Sequence, residues 1–116
     1  MHTKNMDLAK AYYISMGQRN LDEMAPFLHP EVKFVAPLAT AEAKETVLAA
    51  TKSFSKFFKS LIIRSICGSD TQAIVIYDLE FPEPIGKLSS AAALTIKNNL
   101  ITNIELFYDA RRFAAN

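Results

Sequence analysis

The chain has 116 residues, 50% of them hydrophobic and 22% charged, which is enough to bury a core in one domain spanning 1–116 and too apolar for a disordered segment. Thirteen Lys and Arg against twelve Asp and Glu leave a net charge of +1, which argues against nucleic-acid binding through a basic field. Cys67 is the only cysteine, so an intrachain disulfide and a cysteine-rich metal site are both excluded. No apolar run approaches the roughly 20 residues of a membrane span, so no membrane contact is expected. Residues 1–7 lack the apolar stretch of a secretory signal, and with the lone thiol this points to the cytosol.

The first half reads as helical. From Asn5 to Met16 the residues Met6, Ala9, Tyr13 and Met16 recur at helical spacing, flanked by Leu8, Tyr12 and Ser15. Asn5 suits the N-cap and Gly17 the stop. Asn20-Leu21-Asp22-Glu23 resembles a capping box and opens a short second helix, which Pro26 should kink or turn into 3₁₀ geometry. Glu31 to Pro37 alternates as a short strand. The longest helix is predicted from Thr40 to about Lys59, on an apolar stripe of Val47, Leu48, Thr51, Phe54, Phe57, Phe58 and Leu61.

The second half reads as strands: Ser60–Cys67, Thr71–Phe81, Lys87–Lys97 and Leu100–Tyr108. Gly68-Ser69-Asp70 and Pro82 to Gly86 supply turns, and Asn98-Asn99 a tight hairpin in which Asn tolerates positive φ. Helices followed by a meander of long strands imply an α+β fold with the helices on one face of a bent antiparallel sheet. Cys67, with no histidine near it, reads as a buried strand residue.

This order of elements resembles the nuclear transport factor 2-like superfamily, which includes SnoaL-type polyketide cyclases and Δ5-3-ketosteroid isomerases. The matching stretches are Tyr12 to Met16 with Arg19-Asn20-Leu21-Asp22, then Phe27-Leu28-His29-Pro30-Glu31-Val32-Lys33-Phe34, and finally Ile101 to Asp109. The resemblance implies a cone-shaped, cystatin-like fold: three helices packed in a strongly curved antiparallel sheet around an apolar cavity. It also implies a homodimer formed through the outer sheet face, and the apolar residues on both faces of the strands agree.

Catalytic groups of the resembling enzymes can be sought position by position. Tyr12 falls at the isomerase tyrosine, whereas the proton-moving aspartate and the second donor fall at or near Ala36 and Ala92, so two of three groups are missing. No Arg-x-Asp stands on a strand, as limonene-epoxide-hydrolase relatives require. The only histidines are His2 and His29, the latter at a helix-to-strand corner.

Asp78 admits two orientations. The resemblance places Ile74, Ile76, Asp78 and Glu80 inside the cone, where the carboxylate would be desolvated and its pKa raised. Hydrophobicity alone places Tyr77, Leu79 and Phe81 inside. If the chain is an enzyme, Tyr12 as oxyanion donor and Asp78 as proton shuttle form the expected pair. The expected cavity lining is Met16, Phe34, Ala36, Phe54, Phe58, Ile76, Ala92, Leu94, Leu106 and Tyr108. Asp109-Ala110-Arg111-Arg112-Phe113 reads either as a closing edge or as a charged rim of the cavity. No cofactor or metal site is visible.

Two functions remain open. One is a pocket protein for a small apolar, ring-containing ligand, as a binder or an isomerase, cyclase or lyase. The other is a non-catalytic dimerisation or protein-interaction module.

Overall fold

The structure, a computed structural model, describes residues 2–114, apart from the side chains at positions 2, 112 and 114. Helix α1 (His2–Gly17) leads through α2 (Leu21–Met24) and a 3₁₀ turn (Ala25–Phe27) into β1 (Leu28–Val35) and β2 (Thr40–Glu42). Helix α3 (Lys44–Ser55) follows, then β3 (Ser60–Gly68), β4 (Gln72–Glu80), β5 (Lys87–Lys97), β6 (Leu100–Phe107) and the short α4 (Arg111–Ala114). The six strands form one curved sheet in the order β2-β1-β6-β5-β4-β3. Every pairing is antiparallel except β1 with β6, which run parallel. The expected all-antiparallel sheet is corrected at that one seam.

Burial alternates along β4 and β5, and this sets the two faces. Ala73, Val75, Tyr77 and Leu79 turn inward with Leu88, Ser90, Ala92, Leu94 and Ile96. Helix α1 covers β3 and β4, and α3 covers β1 and β2. Tyr12 and Tyr13 enter the interior from α1, with ring centroids 5.2 Å apart in an edge-to-face contact, and Tyr13 stacks on Tyr77 at 4.8 Å. Each such ring removes on the order of 150–250 Å² from water, so the tyrosines are a large part of the core. A bulge between Ile63 and Ser65 breaks the β3–β4 register at Arg64. The extra residue turns Ile66 inward and leaves Cys67 exposed, which corrects its expected burial.

Several boundaries differ from expectation for local reasons. The helix expected to be the longest has 12 residues against 16 in α1. It starts at Lys44, because Thr40–Glu42 pairs with Lys33–Val35 as a hairpin and Ala43 takes φ 79 to redirect the chain. It ends at Ser55, followed by a turn through Phe57. Asn5 lies within α1, and its side-chain amide donates to the Ser69 carbonyl at 2.8 Å instead of capping the helix. The positive φ that ends α1 belongs to Arg19 (58°) and not to Gly17. Asn20 caps α2 through the Glu23 N–H, and Asn98 and Asn99 make the expected hairpin at φ 52 and 64.

Arg19 ties the helical corner to the end of α3. Its Nε donates to the Ser55 carbonyl at 2.9 Å, Nη2 donates to the Phe58 carbonyl, and the guanidinium lies 4.8 Å from the Phe58 ring centroid. A cation at a helix C-terminus satisfies carbonyls that the helix leaves unpaired.

Candidate functional site

Aromatic side chains converge at one end of the concave face. Phe54 comes from the last turn of α3, Phe57 from the turn that follows it, Phe81 from the residue after β4, Tyr108 from the residue after β6 and Phe113 from α4. With Leu38, Lys56 and the Pro82–Ile85 turn they enclose an open cavity of about 610 Å³. Its walls are braced by edge-to-face contacts: Phe54 to Phe81 at 5.7 Å, Phe81 to Phe113 at 5.5 Å and Tyr108 to Phe113 at 5.6 Å. Phe57 remains 64% exposed at the rim. Lys56 and Glu83 are the ionisable lining residues besides Tyr108, whose hydroxyl burial pushes above its ordinary pKa.

Of the expected lining, Phe54 and Tyr108 reach this cavity. Phe58 is buried behind Phe54 at 5.8 Å, under the Arg19 guanidinium. Met16, Phe34 and Leu106 are half-buried against the core, and Ala92 and Leu94 are wholly inside it. Ala36 lies in the β1–β2 loop, with its N–H donating to the Ala39 carbonyl. Ile76 stands on the outer sheet face, because it alternates with the inward Val75 and Tyr77, so it cannot line the cone.

Tyr12 and Asp78 are not brought together. Tyr12 is 1% exposed within the tyrosine core, where burial first and the neighbouring Tyr77 second raise its pKa. Asp78 occupies the outer face, opposite Ile62 and Ser89 across the neighbouring strands. The Ser89 hydroxyl donates to Oδ1 at 2.8 Å and Arg64 Nη1 at 3.2 Å, while Lys87 Nζ lies 3.9 Å from Oδ2. These contacts, the Ser89 hydrogen bond foremost, lower the Asp78 pKa instead of raising it. Alternation by hydrophobicity therefore gives the true orientation of β4, and the register taken from the resemblance does not.

His29 Nδ1 accepts the Glu31 N–H at 3.0 Å and serves the turn into β1, while the side chain of His2 lies outside the described residues. Asp109 forms a two-point ion pair with Arg111, at 2.9 and 2.8 Å, which fixes the start of α4 and thereby Phe113. Leu38, Phe57, Ile85 and Phe113 join the cavity although none of them was among the expected lining. The clustered phenylalanines at 54, 57 and 58 and the lone Phe113 in a charged tail are the signals that point to one.

No protein-family model and no curated protein matches the sequence. Solved structures do match over almost the whole chain. A protein from Kribbella flavida is 24% identical with a TM-score of 0.90, over 97% of this chain and 92% of its own. An NTF2-like protein of unknown function from Cytophaga hutchinsonii is 16% identical with a TM-score of 0.81, over 93% and 92%. TerC, crystallised with polyporic acid, is 16% identical with a TM-score of 0.81, over 96% and 95%. The curved sheet, its helix-covered concave face and these neighbours together give the chain the same fold as nuclear transport factor 2-like proteins.

Proposed function

We propose that the protein binds a small, apolar, ring-containing ligand in the aromatic cavity at the open end of the sheet. The carrying observation is a volume of about 610 Å³ walled by Phe54, Phe81, Tyr108 and Phe113, which offers a flat guest both ring faces and ring edges. TerC, which shares the fold, was crystallised with polyporic acid, and this supports a small-molecule ligand. The reading is binding, since the expected proton-transfer pair stands on opposite faces of the sheet. 1-Anilinonaphthalene-8-sulfonate tests it: the dye should bind one site per chain, and Ile85→Trp, which fills the cavity, should abolish binding. Binding unchanged in that variant places the dye elsewhere.

A second reading concerns the outer face. We infer that two copies pair there, because Ile62 is 61% exposed and Phe107 50% exposed, with Ile74, Ile76, Ala91 and Ala93 between their strands. An apolar surface of this kind marks an interface. Light scattering should give twice the chain mass, and Ile76→Asp should give the monomer.

A further inference from the structure

Strand β5 carries two adjacent serines with opposite fates. Ser89 faces outward, and its hydroxyl donates to Asp78 at 2.8 Å. Ser90 faces inward, is 4% exposed, and its Oγ has no hydrogen-bond partner. It is the one such orphan among the described buried side chains. Packing does not require a hydroxyl there, because Ala92 occupies the next inward position of the same strand. Apolar surroundings make an unpaired hydroxyl costly, so its presence calls for a partner that arrives from outside.

The sheet register shows where that partner would enter. Ser90 pairs directly with Tyr77 on β4. On its other side Ala91 pairs with Phe107, so one further step sets Ser90 beside Tyr108. Side chains at such positions lie roughly 5 Å apart at Cβ. Tyr108 is a wall of the aromatic cavity, and Ser90, which is not itself in the lining, is its lateral neighbour by register. Tyr77, on the far side, already accepts a hydrogen bond from the Tyr13 hydroxyl.

We propose that Ser90 and Tyr108 form the polar inner end of the cavity and select ring ligands that carry a hydroxyl or carbonyl oxygen at their leading edge. The inference rests on the aromatic cavity being the ligand site. A ligand oxygen that passes the edge of Tyr108 meets two hydroxyls, each able to donate or accept. A ligand without that oxygen leaves Ser90 unpaired and gains only from ring contacts. The pair therefore acts as a specificity filter set beneath an otherwise permissive apolar wall.

Naphthalene and 2-naphthol differ by one hydroxyl and test this directly. Both fluoresce, and the chain has no tryptophan to interfere. Wild-type protein should bind 2-naphthol about tenfold more tightly than naphthalene. Ser90→Ala should bring that ratio to within about twofold while naphthalene affinity stays unchanged, and Tyr108→Phe should reduce the ratio in part. Ser90→Ala should also melt no lower than wild type, since it removes an unpaired hydroxyl, so a lost preference would not reflect a lost fold. Equal affinities in the wild type would overturn the filter and leave the cavity intact as a binding site. A preference that survives Ser90→Ala would remove Ser90 from the filter. Failure of both probes to bind would refute the cavity itself, and the filter with it.

Discussion

Tyr77 and Asp78 are neighbours in β4 and stand on opposite faces of the sheet, the ring 4.8 Å from Tyr13 and the carboxylate 2.8 Å from the Ser89 hydroxyl. One residue of strand alternation thus separates the apolar interior from a polar outer cluster of Asp78, Arg64, Ser89 and Lys87.

That cluster makes a pH-dependent contribution to stability. Asp78 titrates below the ordinary carboxylate value of 3.8 in the folded chain, so its contribution is complete above that value and is lost as pH falls through the folded pKa. Asp78→Asn should therefore cost about 1 kcal/mol at pH 7, in keeping with a partly screened pair. Urea unfolding at pH 7 and at pH 2.5 should show that difference shrinking at the lower pH. The variant should leave binding of the naphthalene dye unchanged, because the carboxylate lies across the sheet from the cavity.

Ala43 is held at φ 79, ψ 145, a region that glycine occupies freely and alanine does not. The strain is retained by a hydrogen bond from its N–H to the Val32 carbonyl at 2.9 Å and by the first bond of α3, Val47 N–H to the Ala43 carbonyl. Ala43→Gly should raise stability by about 1 kcal/mol. The measurement is the denaturant midpoint, which should rise with no change in slope.

Arg19 gives a prediction about geometry as opposed to charge. Its guanidinium serves two carbonyls at the end of α3 and lies on Phe58. Arg19→Asn tolerates the left-handed backbone but abandons both carbonyls, and should cost about 2 kcal/mol. Arg19→Lys keeps the charge without the planar fork and should recover less than half of that loss. Because the contacts are partly buried, thermal unfolding should show both effects persisting in 0.5 M salt.

Most elements were legible where the determinants are local. Lys87–Lys97 has the boundaries that its alternation and the Asn98-Asn99 turn dictate, and Pro26 sits in the expected 3₁₀ turn. Thr40–Glu42 was read into the helix because its strand character comes from pairing with β1, which no local pattern announces. Cys67 and Arg64 depend on a bulge, a register event between two strands. At Asp78 the apolar alternation of Val75, Tyr77 and Leu79 carried the answer, and analogy obscured it. Phe54 and Tyr108 were legible as aromatic lining. Phe113 was not, because its place at the cavity depends on how α4 folds back after the last strand.

The parallel seam between β1 and β6 has a consequence for the order in which the molecule forms. It joins Leu28 to Ile101 and Phe34 to Ile104, positions some seventy residues apart, while β2 and β1 have no other ladder to the rest of the sheet. Strands β3, β4 and β5 can zip up as successive hairpins, each through a short turn. The hairpin of β1 and β2, made early in the chain, must wait with one edge open until residues 100–107 arrive. The sheet is thus completed only when β6 forms, and a chain in which β6 is unformed carries an unpaired β1 edge open to a second molecule.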